Sequence, residues 1–216
     1  MPFSQSPPVL KGALVRVDDD GVSTQVVVFQ YNPEKLLRKI EVRGDVRGST
    51  RSAAGRRTPQ ELIICSLVFD ATDALERPDQ NPRVVGTGIS PMLAALELLM
   101  YRREASTPRW WEFWRFGARS PSGPLALFVW GTERAVPVRL VRLDITELLH
   151  DPELRPIRAT VRMTMRVVAD EDLPRDHPGV RLWRRHLSGL ENLASEGYSV
   201  SPPAEITPLD IATRTG

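Results

Sequence analysis

Residues 155–168 alternate almost without a break. Ile157, Ala159, Val161, Met163, Met165 and Val167 share one parity, and Arg158, Thr160, Arg162, Thr164 and Arg166 share the other. A strand sends successive side chains to opposite faces, so period two over this length requires one buried face and one polar face. A chain built around such a strand is a sheet with its core on one side. Arg158, Arg162 and Arg166 then form a row on the wet side, where like charges this close repel unless paired or solvated.

The rest of the sequence supplies partners for that strand. Residues 13–17 and 23–31 read as two strands joined through Asp18-Asp19-Asp20-Gly21, a hairpin signal because glycine takes positive φ without strain. The same acids do not make a calcium loop, which needs spaced acids and a distal Glu where Val26, Val27, Val28 and Phe29 stand. Tyr31-Asn32-Pro33 ends the second strand, and 36–43 reads as a third. Residues 44–59 are a loop. Residues 60–70 are so apolar that they predict a strand covered on both faces. A second loop spans 71–91, with Ser90 as N-cap and Pro91 opening an amphipathic helix over 92–102. Strands follow over 125–131 and 136–149, the latter with a bulge near Leu140-Val141, where strict alternation is lost. A helix is predicted over 180–193, and 199–216 is a tail with no hydrophobic period.

The expected fold is therefore mainly β: an antiparallel tube-type β-barrel of about seven strands with one flanking helix, plus a C-terminal helix and tail. A closed or nearly closed barrel removes exposed edges. The division is a β domain over 9–170, carrying a Trp-rich insertion at 104–124, and a C-terminal helix and tail over 171–216.

Composition narrows the function classes. Hydrophobic residues are 41% and charged residues 26%, so a packed core is expected. The net charge is +2, from 29 Lys+Arg against 27 Asp+Glu, which argues against a nucleic-acid partner. Lys11, Lys35 and Lys39 are the only lysines. An arginine bias suits interfaces and carboxylate pairing, and GC-rich codon usage produces the same bias. Cys65 is the only cysteine, which excludes an internal disulfide and fits a reducing cytosol. No secretory signal opens the chain and no stretch approaches a membrane span, so a cytoplasmic chain without stable membrane insertion is expected.

No constellation points to catalysis. His150, His177 and His186 lie outside any metal spacing, and no serine sits in a Gly-x-Ser-x-Gly elbow. Gly86-Thr87-Gly88 is too short for a phosphate loop and reads as a flexible loop. Asp70 and Asp73 follow a strand, where aspartate commonly makes turns. Cys65 shares its strand face with Ile63, Leu67 and Phe69 and reads as a small buried hydrophobe. The expectation is a protein that is not an enzyme, with no catalytic residues, cofactor or metal.

The insertion is the least ordinary stretch. Trp110, Trp111, Phe113, Trp114 and Phe116 mix with Arg102, Arg103, Arg109, Arg115 and Arg119. It reads as a plug on the core, as a partner anchor through Trp110, Trp111 and Trp114, or as an aromatic–arginine contact with membrane or single-stranded nucleic acid.

Four segments in order resemble the contractile injection system tube-domain family, the N-terminal domain of LysM-bearing baseplate hub proteins of phage-tail-like particles. Val26-Val27-Val28-Phe29-Gln30-Tyr31-Asn32-Pro33-Glu34 resembles the family's FNPE opening. ELIICSLVFDA at 61–71, followed by Thr72-Asp73, resembles its strand ending in an FD-x-T-D turn. Phe128-Val129-Trp130-Gly131 resembles its F-x-WG strand end, and Arg155-Pro156-Ile157-Arg158-Ala159-Thr160-Val161 its entry to the last strand. The resemblance covers 9–169. It departs in lacking a LysM pattern and in carrying the Trp-rich insertion. It implies a structural subunit joined side by side with copies of itself into a hexameric ring of the inner tube or baseplate hub. Tube, spike and baseplate proteins would be its partners, in a phage-tail-like particle assembled in the cytoplasm. The row Arg158, Arg162 and Arg166 would then face the lumen or a neighbouring subunit. An adaptor that docks a spike, cap or cargo through the insertion and tail is the other reading.

Overall fold

The structure is a computed structural model that describes residues 10–18, 23–42, 58–101 and 123–197. The turn 19–22, most of the arginine-bearing loop 44–59, the insertion with Trp110, Trp111 and Trp114, and the tail 199–216 lie outside the described residues.

Seven strands form one antiparallel sheet: β1 (Ala13–Val17), β2 (Ser23–Val28), β3 (Leu36–Glu41), β4 (Gln60–Asp70), β5 (Leu125–Trp130), β6 (Arg134–His150) and β7 (Pro156–Val167). Their order is β2-β1-β5-β6-β7-β4-β3. The strand with the clearest period holds the centre: β7 lies between β6 and β4, its alternate residues from Ala159 to Val167 are buried, and Arg158 and Arg162 are exposed.

The expected barrel closure is not made. β2 and β3 are the edges, and no ladder joins them. The connection between them carries Pro33, which has no N–H, and Gln30 sends its side chain across the corner where a ladder would run. Side chains tie the two halves there in place of strand pairing.

β6 makes the curl. It pairs with β5 over 134–138 and with β7 over 138–150, so one long strand serves two halves of the sheet that overlap only at Val138. The register shifts between Leu140 and Arg142, the bulge expected near Leu140-Val141. An extra residue bends a strand and raises its twist.

The concave face holds the core. Leu14, Phe29, Ile63, Leu67, Phe69, Phe128, Leu140, Met163 and Met165 are all less than 2% exposed or at that limit. Phe128 lies 6.3 Å from Phe29 and stacks on Trp130 at 5.9 Å, pairs that each add about 0.5–1.5 kcal/mol beyond burial. Gly12 admits this packing, since a Cβ there would fall 2.7 Å from the Phe29 ring. β4 corrects a second expectation. Its inner residues Ile63, Cys65, Leu67 and Phe69 are buried, but Ser66 and Val68 on the outer face are exposed, because the helices pack on the other side.

Residues 71–91 are not a plain loop. They hold α1 (Thr72–Leu75), a 3-10 turn (Pro78–Gln80) and α2 (Pro82–Thr87). Pro78 and Pro82 stand at helix N-termini, where a missing N–H is no loss. Gly88 ends α2 with φ +56, and a Cβ there would collide with the Pro156 carbonyl, so this glycine is a fixed helix end and not a flexible loop. α3 (Ser90–Glu97) follows and buries Leu93 and Leu96, with Leu99 just beyond. Its N-cap is Ile89 and not Ser90, because the Ile89 N–H bonds the Pro156 carbonyl at 2.9 Å and sets the helix start.

The C-terminal helix α4 (Pro178–Gly197) packs onto the β domain. Val180 and Leu173 cover Val17, Leu125 and Val168 in a second apolar cluster, while Trp183 enters the main core.

Candidate interaction face

The arginine row of β7 is in part internally compensated. Arg158 crosses to the end of β4, where its Nη2 and Nε lie 2.5 and 2.7 Å from Asp70 Oδ2. Arg166 Nη1 donates to both oxygens of Asp172 at 3.1 and 3.2 Å. Arg162 stands in register with Ser66 on β4 and Asp144 on β6, but Asp144 is already held by Arg142 Nε at 2.8 Å. Arg162 is exposed and makes no ion pair with another described residue. Of the three sequence-predicted residues, only Arg162 lacks an ion pair among the described residues. Whether Trp110, Trp111 and Trp114 share this face lies outside the described residues.

Arg158 and Arg162 form one wall of an open groove of ≈970 Å³ on the outer face of β4. Val68 and Leu37 supply apolar lining, and Tyr31 and Lys35 come from the β2–β3 connection. Tyr31 is steadied by Lys11, whose Nζ lies 5.8 Å from the ring centroid and donates to Gln30 O at 2.6 Å. The groove thus sets Lys35, Arg158 and Arg162 beside apolar side chains, with the carboxylates of Glu34 and Asp70 also in its lining.

One end of this groove is a corner that pattern reading alone does not find. The Gln30 amide donates from Nε2 to Asp70 O at 2.6 Å and its Oε1 accepts from Asp70 N at 2.9 Å. Asn32 does the same for the other half of the sheet: its Oδ1 accepts from Gly12 N at 2.9 Å and its Nδ2 donates to Leu10 O at 2.7 Å. Asp70 Oδ1 accepts from the Thr72 N–H at 2.9 Å and the Thr72 hydroxyl at 2.5 Å, a turn-making role and not a paired-carboxylate site. Asp73 is an exposed residue of α1. The Thr72 hydroxyl, opposed by burial and helped by the Thr72 N–H and Arg158, holds the Asp70 carboxyl below its ordinary value. The available signal was two amides, Gln30 and Asn32, two positions apart just before a proline.

Cys65 is 3% exposed, and burial pushes its thiol up to about 12. Among the described residues no group of three or more His, Cys, Asp or Glu is placed to hold a metal ion. No helix among them is long and apolar enough to cross a membrane.

What fold and face define together is an open antiparallel sheet, curled over its core and buttressed by helices, with one outward groove edged by arginine. No protein-family model matches the chain, and no curated protein matches it in sequence.

Proposed function

We propose that this chain is a ring-forming structural subunit of a contractile injection system, set in the inner tube or baseplate hub between tube and spike. One observation supports it above the others. The four segments that carry the family resemblance fall together in space and all fasten strand ends. Gln30 and Asn32 staple the end of β2, and Asp70 receives both Gln30 and Arg158. Trp130 packs on Phe128 over Gly12. That residues which resemble the family at scattered points of the sequence meet at one joint of the fold supports this reading.

A ring of identical copies needs two different faces on each, so that one copy's first face meets the next copy's second. The groove beside Arg162 is one such face. The unpaired sides of β2 and β3, with Val26, Val28, Leu37 and Ile40 exposed, offer others. Six copies is the number the resemblance implies.

The test is electron microscopy of sheath preparations from a strain lacking this gene. We expect no full-length sheathed particles, because a ring at the tube–spike junction templates what is built on it. Complementation with Arg162→Glu should give a folded protein that does not restore particles. Normal particles in the deletion strain, or class averages placing the chain as a single central copy, would overturn the proposal.

A further inference from the structure

α4 fills the end of the curled sheet where β6 parts from β7, and His186 sits at the middle of that wedge. The imidazole is 8% exposed, and its ring lies 5.6 Å from that of Trp183, the residue that anchors the helix in the main core. Charged groups surround it from every packed element. Arg38 on β3 and Glu61 on β4 are locked to each other, with Nε to Oε1 at 2.5 Å. Glu133 in the β5–β6 turn and Arg134 on β6 line a cleft of ≈190 Å³ together with Arg38, His186, Leu190 and Leu193. Beyond His186 the helix is held loosely. Leu187, Leu190 and Leu193 are 39%, 40% and 48% exposed, whereas Val180 and Trp183 before it are 5% and 7%.

We propose that His186 is an acid-released catch for the distal half of α4: gaining a proton, it becomes a further cation beside Arg38 and Arg134 and frees residues 186–197 from the sheet. Glu61, the carboxylate that favours the protonated ring, is committed to Arg38. Burial, opposed by Glu61 and supported by Arg38 and Arg134, holds the imidazole below its ordinary value of 6.5. A group lowered in the docked state stabilises docking fully above the undocked value, about 6.5, and loses that contribution as pH falls through the docked one. Between those limits the docking equilibrium falls with pH, by at most about tenfold per pH unit. The other two histidines are placed differently. His150 is exposed and bonds Glu147 at 2.9 Å, and His177 Nδ1 accepts from Gly179 N at 3.0 Å in the turn before α4. The inference concerns the single folded chain and stands apart from ring assembly.

Hydrogen exchange with mass spectrometry on the full chain at pH 7.5, 6.5 and 5.5, corrected for intrinsic rates, tests it. In the wild type, peptides from 186–197 should lose protection, by up to about fivefold, between pH 6.5 and 5.5 while β4 and β7 hold theirs. His186→Phe, which keeps a ring beside Trp183, should abolish the loss, and His177→Gln should leave it intact. His186→Gln serves if the phenylalanine variant does not fold, with the same expectation. Helix protection that does not change with pH in the wild type, or an equal loss in a folded His186 variant, would overturn the proposal.

Discussion

The side-chain amide of Gln30 makes to Asp70 both of the hydrogen bonds that a neighbouring strand would make, donating to its carbonyl at 2.6 Å and accepting from its N–H at 2.9 Å. The two residues are 40 positions apart, and the contact joins the strand after which the sheet ends on one side to the strand next to its other edge.

Gln30→Ala should therefore act as a fold mutation. It removes two bonds and strands a partly buried N–H and C=O, a loss of about 1–3 kcal/mol. For a chain of this length that lowers Tm by roughly 2–4 °C per kcal/mol. Val26→Thr, on the exposed side of β2, should stay within about 0.5 kcal/mol. Urea and thermal unfolding measure both, and equal stability of the two variants would refute the staple.

Met163→Arg should unfold the domain while Arg162→Thr leaves it stable. Met163 is fully buried between Cys65 and Leu143, and an unpaired charge there costs several kcal/mol, a large share of ordinary stability. Arg162, one residue away, points outward without an ion partner among the described residues. Circular dichroism melts distinguish the pair, and indistinguishable melts would remove the assignment of faces on β7.

Acid should loosen the groove corner. The Asp70 carboxyl is held below its ordinary value by the Thr72 hydroxyl first and then by the Thr72 N–H and Arg158. Asp151, despite an opposing effect of burial, is lowered by the N–H and guanidinium of Arg155. Both contributions are complete above the unfolded value of about 3.9 and disappear as pH falls through the folded ones. Asp70→Asn should lower Tm at pH 7 and flatten its decline below pH 4. A variant whose acid limb parallels that of the wild type would contradict this.

Cys65 should resist alkylation while the chain is folded. Raising the thiol from 9.0 to about 12 leaves roughly a thousandfold less thiolate at neutral pH, and burial blocks approach as well. Intact mass after maleimide treatment at pH 7.5 should show no adduct, and the same treatment in denaturant should give one. Rapid native labelling would mean that β4 opens.

What could be read without coordinates was what depends on near neighbours in the chain. The parity of β7 and the bulge after Leu140 follow from side chains alternating along a single strand, and the bounds of β4 from an unbroken β-rich apolar run. The short helices of 71–91 were hidden because Pro78, Pro82 and Gly88 read as punctuation, when two of them open helical turns and the third closes one. The site was less legible. Arg158 looked unpaired because its carboxylate is 88 positions away, and only the β4–β7 register brings Asp70 across to it. Closure failed as an expectation for a similar reason: strand number was visible, but not that amides would replace the last ladder.

Salt should divide this corner in two. The bonds made by Gln30 and Asn32 carry no net charge and are indifferent to ionic strength, while the contribution of Arg158 to Asp70 shrinks as counterions crowd the exposed guanidinium. The neutral bonds fix where the strands end in any solvent. The charged one makes the adjoining surface more cationic or less according to its surroundings, so a partner would meet a constant shape carrying a variable potential.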